Sequence, residues 1–166
     1  PILDITHSFE QGQANIEIKQ LQNPDLFPPI FILPFAIDIY DANGNSARHE
    51  VVMTQRTQTF SFPSSTMPAL VNVDADNILL AEKRENLSES DYVFQYYNTT
   101  KFQDRFDALE ALSQSNTPAA EALFIKALDD SYWGIRRTAL NLIDTNEKSV
   151  LEKIKQLAKS DPRSQV

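Results

Sequence analysis

The stretch RFDALEALSQSNTPAAEALFIKALDDSYWGIRRTALNLI, residues 105–143, repeats part of itself at an offset of 31 residues. Arg105, Ala108, Leu109 and Leu112 return as Arg136, Ala139, Leu140 and Ile143. The register continues beyond the quoted stretch, with Leu123 matching Ile154, Ala127 matching Ala158, and Asp130 matching Asp161. A period of 20–50 residues with two helices in each unit indicates stacked helical repeats. The run Asp130-Ser131-Tyr132-Trp133-Gly134-Ile135-Arg136-Arg137, followed by Ala139 and Leu142, places an aspartate in the turn, an arginine early in the second helix and a small alanine in the helix contact. In the same register Ile135 matches Val166, so the repeat array is expected to be interrupted at Val166.

Outward from this stretch, apolar residues three and four apart predict helices near 89–97, 100–114, 117–129, 132–144 and 147–159. Thr117 before Pro118 supplies an N-cap with proline at the first helical position. Before about residue 80 the pattern has period two. Ile16, Ile18 and Gln20 alternate with Asn15, Glu17 and Lys19, and Leu33, Phe35, Ile37 and Ile39 alternate with Pro34, Ala36, Asp38 and Tyr40. Asp41-Ala42-Asn43-Gly44-Asn45 has turn chemistry, and Val51, Met53, Phe60, Phe62, Val71 and Val73 mark later strands. Prolines at 1, 24, 28, 29, 34, 63 and 68 suit strand ends and edges. The expected fold class is therefore a mixed two-domain chain: an all-β Ig-like sandwich over 1–80, then an all-α HEAT-like solenoid segment over 81–166.

The net charge of −8 argues against a nucleic-acid partner, since no basic stripe is present. The apolar run Ile30 to Ile37, broken by Pro34, is far short of the roughly 20 residues of a membrane span. The chain is expected to be soluble, with the choice between cytoplasm and export left open. The absence of cysteine excludes disulfides, thiolate ligands and cysteine nucleophiles.

No catalytic, cofactor-binding or metal residue is assigned. A catalytic zinc needs about three side-chain ligands, usually including histidine, and the two histidines, His7 and His49, lie outside any His-Glu-x-x-His helix. They read as exposed or half-buried strand residues. With Gly12, Gly44 and Gly134 as the three glycines, there is no nucleophile elbow and no phosphate loop. Asp129 and Asp130 read as helix caps and contacts between repeats, and Arg136 and Arg137 as an Asp–Arg ladder rather than an anion site. Tyr92, Phe94, Tyr96 and Tyr97 read as core at a domain junction, and Trp133 as repeat packing.

Ile16-Glu17-Ile18-Lys19-Gln20-Leu21-Gln22 followed by Leu33-Pro34-Phe35-Ala36-Ile37-Asp38-Ile39 resembles a strand pair of zinc aminopeptidases of the aminopeptidase N type. The likeness continues through Gly44, Gln58-Thr59-Phe60, the spaced Pro68, Val71 and Asp74, then Leu79-Leu80, Lys83, and Arg105 with Ala108, covering about residues 10–145. The resemblance implies a non-catalytic C-terminal fragment that braces a catalytic domain of the same polypeptide and shapes access to its cleft. Pro1 would lie just past that domain, which would hold the zinc, with none in this fragment, and which peptide substrate would meet only in the full-length protein. The alternative is a scaffold or protein-interaction module of the same layout without peptidase activity.

Overall fold

Leu3, Ile5, His7 and Phe9 face one way along Ile2–Glu10, the first strand (β1), while Asp4, Thr6, Ser8 and Glu10 face solvent. β1 turns through Gln11 and Gly12, with φ of 51° and 74°, into β2, Gln13–Gln20. Two consecutive left-handed residues give the turn twist that a two-residue hairpin needs, and glycine takes one of them without steric cost. The strands β3 (Leu33–Tyr40), β4 (Ser46–Met53), β5 (Thr57–Pro63), β6 (Leu70–Val73) and β7 (Glu82–Glu85) follow. The helices are α1 (Glu89–Asn98), α2 (Phe102–Ala111), α3 (Pro118–Ala127), α4 (Trp133–Leu142) and α5 (Lys148–Ser160). This computed structural model describes residues 1–143, 148–163 and 166. The helix limits expected at 144 and 147 lie outside the described residues.

Pro1–Leu87 and Ser88–Val166 form separate compact units. In the first, one sheet has the order β5-β2-β1-β7 and the other β4-β3-β6. Leu3, Ile5, Ile16 and Ile18 of one sheet and Phe35, Ile37, Met53 and Val73 of the other belong to one buried cluster. Pro34 sits where β3 pairs with β4 alone, because β6 reaches only Ile37–Tyr40, so its missing N–H breaks no ladder. Between β3 and β4 the Asp41 carboxylate accepts from the N–H groups of Asn43 and Asn45, and Gly44 takes φ 84°.

In the second unit, Leu109, Leu112, Leu123, Phe124, Leu128 and Ile135 are core residues packed around the small Ala108, Ala120, Ala127 and Ala139. Ser88 forms a capping box with Asp91 at the start of α1, and Thr117 caps α3 through Ala120 N–H, with Pro118 in its first turn.

The expected fold class is corrected by these pairings. The chain is not an all-β Ig-like sandwich followed by an all-α HEAT-like solenoid. It is a small mixed α/β chain, with seven strands in two sheets and five helices among the described residues. β7 pairs in parallel with β1, Ile2 opposite Glu82 and Ile5 opposite Glu85, so the four-stranded sheet is mixed rather than antiparallel. Four charged or polar residues in a row have no alternation to betray a strand. Among the described residues the helices provide two pairs and a fifth, whereas a solenoid stacks three or more repeats to bury its faces.

Candidate functional site

The two histidines lie on different strands and do different things. His7 on β1 places Nε2 3.4 Å from a Glu85 carboxylate oxygen on β7, and its Nδ1 is buried with no partner among the described residues. His49 on β4 stacks on Phe62 with ring centroids 3.9 Å apart. Among the described residues no three His, Asp or Glu side chains come together as a metal site. These residues do not fit the zinc of an aminopeptidase, which takes about three side-chain ligands.

The acidic and basic pairs singled out in the helical unit separate into distinct roles. Asp130 accepts from Arg105 Nε at 2.7 Å and Nη2 at 3.0 Å, from the Tyr96 hydroxyl at 3.1 Å and from the Tyr132 N–H at 2.8 Å. Burial pushes its carboxyl pKa up, but the Arg105 guanidinium, the Tyr132 N–H and Tyr96 outweigh that and hold it below the usual carboxylate range. Burial, with the Asp130 charge adding to it, pushes the Tyr96 phenol up. The same fork recurs 31 residues on, where Arg136 donates to Asp161 from Nε at 2.7 Å and Nη2 at 2.8 Å. Arg136 also donates to the Asp130 carbonyl at 2.8 Å, which links the two forks. Asp129 instead pairs with Lys153.

Arg137 is exposed and has no partner among the described residues, so the ladder expectation holds for Arg136 and not for its neighbour. Tyr92 and Tyr96 pack in the helical unit's core, and Tyr97 is exposed. Trp133 is half-buried beside Tyr132, with ring centroids 5.8 Å apart, and stands outside that core cluster.

The most distinctive surface lies at one end of the two sheets. β2 leaves there at Gln20, β3 enters at Leu33, β6 leaves at Val73, and β7 enters at Glu82 beside Ile2. Two loops make these connections and carry Leu26, Phe27, Ile30 and Ile32 on one, Ile78 and Leu80 on the other, with Leu80 96% and Leu26 75% exposed. Neither loop has a β ladder. Buried polar side chains hold them instead.

Gln20, fully buried, donates to Phe31 C=O at 2.8 Å and accepts from Phe31 N–H at 2.8 Å. Gln22 donates to Gln20 Oε1 at 3.0 Å and to the carbonyls of Pro28 and Pro29 at 3.3 and 3.2 Å. Arg56 donates to Gln22 C=O. In the second loop the buried Asp74 takes φ 57° and its carboxylate accepts from the N–H groups of Ile78 and Leu79 at 3.1 and 3.0 Å. Each loop is thus fixed by groups that cost about 1–3 kcal/mol apiece if left unsatisfied, with Phe31 and Leu79 packed against the sheet core and the remaining large apolar side chains named above facing water.

The sequence pattern contained a sign of this arrangement. Gln20 continues the inward register of Ile16 and Ile18, and an amide on a core-facing position must find partners. That the partners come from residue 31, and that the 74–81 loop lies at the same end, follows from strand pairing and is not visible in any one segment.

No family model matches the chain, and no curated relative matches it. Among solved structures the chain is similar to aminopeptidase A of Legionella pneumophila, crystallised in complex with aspartic acid, with a TM-score of 0.66 and 16% identity. The match covers 95% of this chain and 21% of that one, so the chain spans about a fifth of that protein's length. It has an aminopeptidase-related fold. Among the described residues no helix is long and apolar enough to cross a membrane.

Proposed function

We propose that the chain is a non-catalytic, aminopeptidase-associated part of a larger polypeptide, docked through its apolar sheet end on a zinc-bearing catalytic domain and shaping access to the cleft. The observation that carries this reading is the pair of pinned loops. Exposed apolar residues held rigid in advance lose little conformational freedom on association, which favours a constitutive contact. The likeness to one part of a much longer aminopeptidase supports the choice of partner. Peptide would meet this chain only within the full-length protein.

The test uses the full-length polypeptide with Phe27→Asp and Ile32→Asp together, two exposed positions on the first loop. Charges forced into an apolar contact should shift the ratio of long-peptide to short-peptide turnover by about tenfold, with aminoacyl-anilide hydrolysis retained. Unchanged peptide-length selectivity would rule out the docking role. Full-length protein without chelator-sensitive hydrolysis would point to the scaffold alternative. Such hydrolysis by the 166-residue chain alone would refute a non-catalytic role.

A further inference from the structure

Met53 and Met67 are the two methionines, and with no cysteine in the chain they hold all of its sulfur. They stand at opposite extremes of exposure. Met53, on β4 opposite Leu33, is 0% exposed inside the sheet core. Met67, in the loop between β5 and β6, is 74% exposed. A methionine fills irregular space when buried, and one left in water adds nothing to the packing.

The backbone around Met67 is held by other groups. Ser64 N–H donates to Gly12 C=O at 2.9 Å, and Ala69 N–H donates to Tyr40 C=O at 2.9 Å. Ser64 Oγ donates to Thr66 C=O at 2.6 Å. Pro63 precedes the loop and Pro68 lies within it, each with φ set by its ring. Both anchors stand at the end of the sheets where β1 turns into β2, away from the apolar docking loops. The loop therefore keeps its path whatever happens at the sulfur.

We propose that Met67 is a site of reversible oxidation by hydroperoxides, taking up oxygen ahead of Met53 and without loss of the fold. The thioether lone pair attacks the terminal peroxide oxygen, and the S–O bond forms as the O–O bond breaks. The proton on the transferred oxygen passes to the leaving oxygen, which departs as water or an alcohol. Sulfur loses two electrons and the peroxide gains them. With no cysteine, no thiolate competes for the oxidant. A sulfoxide at Met67 stays in water and within reach of a methionine sulfoxide reductase. The same group at Met53 would bury a polar oxygen among apolar side chains.

The intact chain treated with hydrogen peroxide and mapped by peptide mass spectrometry tests this. Met67 should gain one oxygen more than about tenfold faster than Met53, because peroxide reaches Met53 only through an opening of the core. In denaturing guanidinium the two rates should converge. The singly oxidised protein should keep its unfolding midpoint, and methionine sulfoxide reductase with dithiothreitol should restore the original mass. Met67→Leu should remove the fast uptake and leave the midpoint unchanged.

Equal rates in the folded protein would overturn the assignment, as would a rate difference that survives unfolding. So would a lower midpoint after oxidation of Met67, a sulfoxide that the reductase leaves untouched, or a Met67→Leu protein that retains the fast uptake.

Discussion

Replacing Asp130 by alanine should lower the stability of the helical unit by about 3–5 kcal/mol, the cost of leaving one partner of a buried ion pair uncompensated. Arg105 is the partner left behind, its side chain only 13% exposed, and the Tyr96 hydroxyl and Tyr132 N–H lose an acceptor at the same time. Guanidinium unfolding followed by Trp133 fluorescence measures this in the unit concerned. A loss under about 1 kcal/mol, the scale of an exposed pair, would show that the fork contributes little. Arg105→Leu combined with Asp130→Leu should recover most of the loss, because a buried pair replaced as a pair leaves no orphan charge.

The same carboxylate gives the unit an acid-sensitive component. The folded-state pKa of Asp130 is lowered, so its contribution is fully present above the unfolded value near 3.9 and is lost as the pH falls through the folded value. Asp130→Ala should therefore flatten the acid limb of the unfolding curve below about pH 4. An unchanged acid limb would place that sensitivity in other carboxylates.

Asp130 and Gln20 also mark how far the sequence could be read. The 31-residue register equated Arg105 with Arg136 and Asp130 with Asp161, and the structure joins them as two equivalent forks because equivalent helix positions present equivalent side chains. Helices α1 to α4 follow their apolar spacing closely, since spacing alone defines a face.

Strand β1 was equally readable from Leu3, Ile5 and Phe9 alternating with polar residues, and the expectation marked it only through His7, read as a strand residue. β7 was not readable. Glu82-Lys83-Arg84-Glu85 becomes a strand through its parallel pairing with β1 and the donation of Lys83 Nζ to Val73 C=O at 3.0 Å. Such tertiary pairing decides the sheet class, which is why the expected architecture failed while most of its elements stood. The ring contact between Phe102 and Tyr132 in the helical unit was hidden for a related reason. Phe102 and Tyr132 are far apart in sequence, and only the helix packing brings their rings together.

Replacing Gln20 by leucine should have the largest effect in the sheet unit, and a local one. Leucine keeps the approximate size of a fully buried side chain but strips both partners from the Phe31 peptide groups, the second bond from Gln20 Nε2 to Gln55 C=O, and the acceptor from Gln22. The two Phe31 backbone groups alone, left unsatisfied at about 1–3 kcal/mol apiece, predict a cost of about 2–6 kcal/mol unless the loop opens to water. The loop has no ladder to hold it closed, so it should open.

Hydrogen exchange would then show the Phe31 amide losing protection by more than about a hundredfold, the equivalent of 2.7 kcal/mol, while the Ile5–Ile18 and Ile37–Val73 pairs stay protected. Gln20→Glu sharpens the point. It keeps an acceptor for Phe31 N–H but turns an oxygen toward the carbonyls of Phe31 and Gln55, and adds a buried charge, so it should open the loop at least as far. If Gln20→Leu leaves Phe31 protected, the loop is held by its apolar residues and not by the amide. The rigid presentation on which the docking proposal depends would then need another cause.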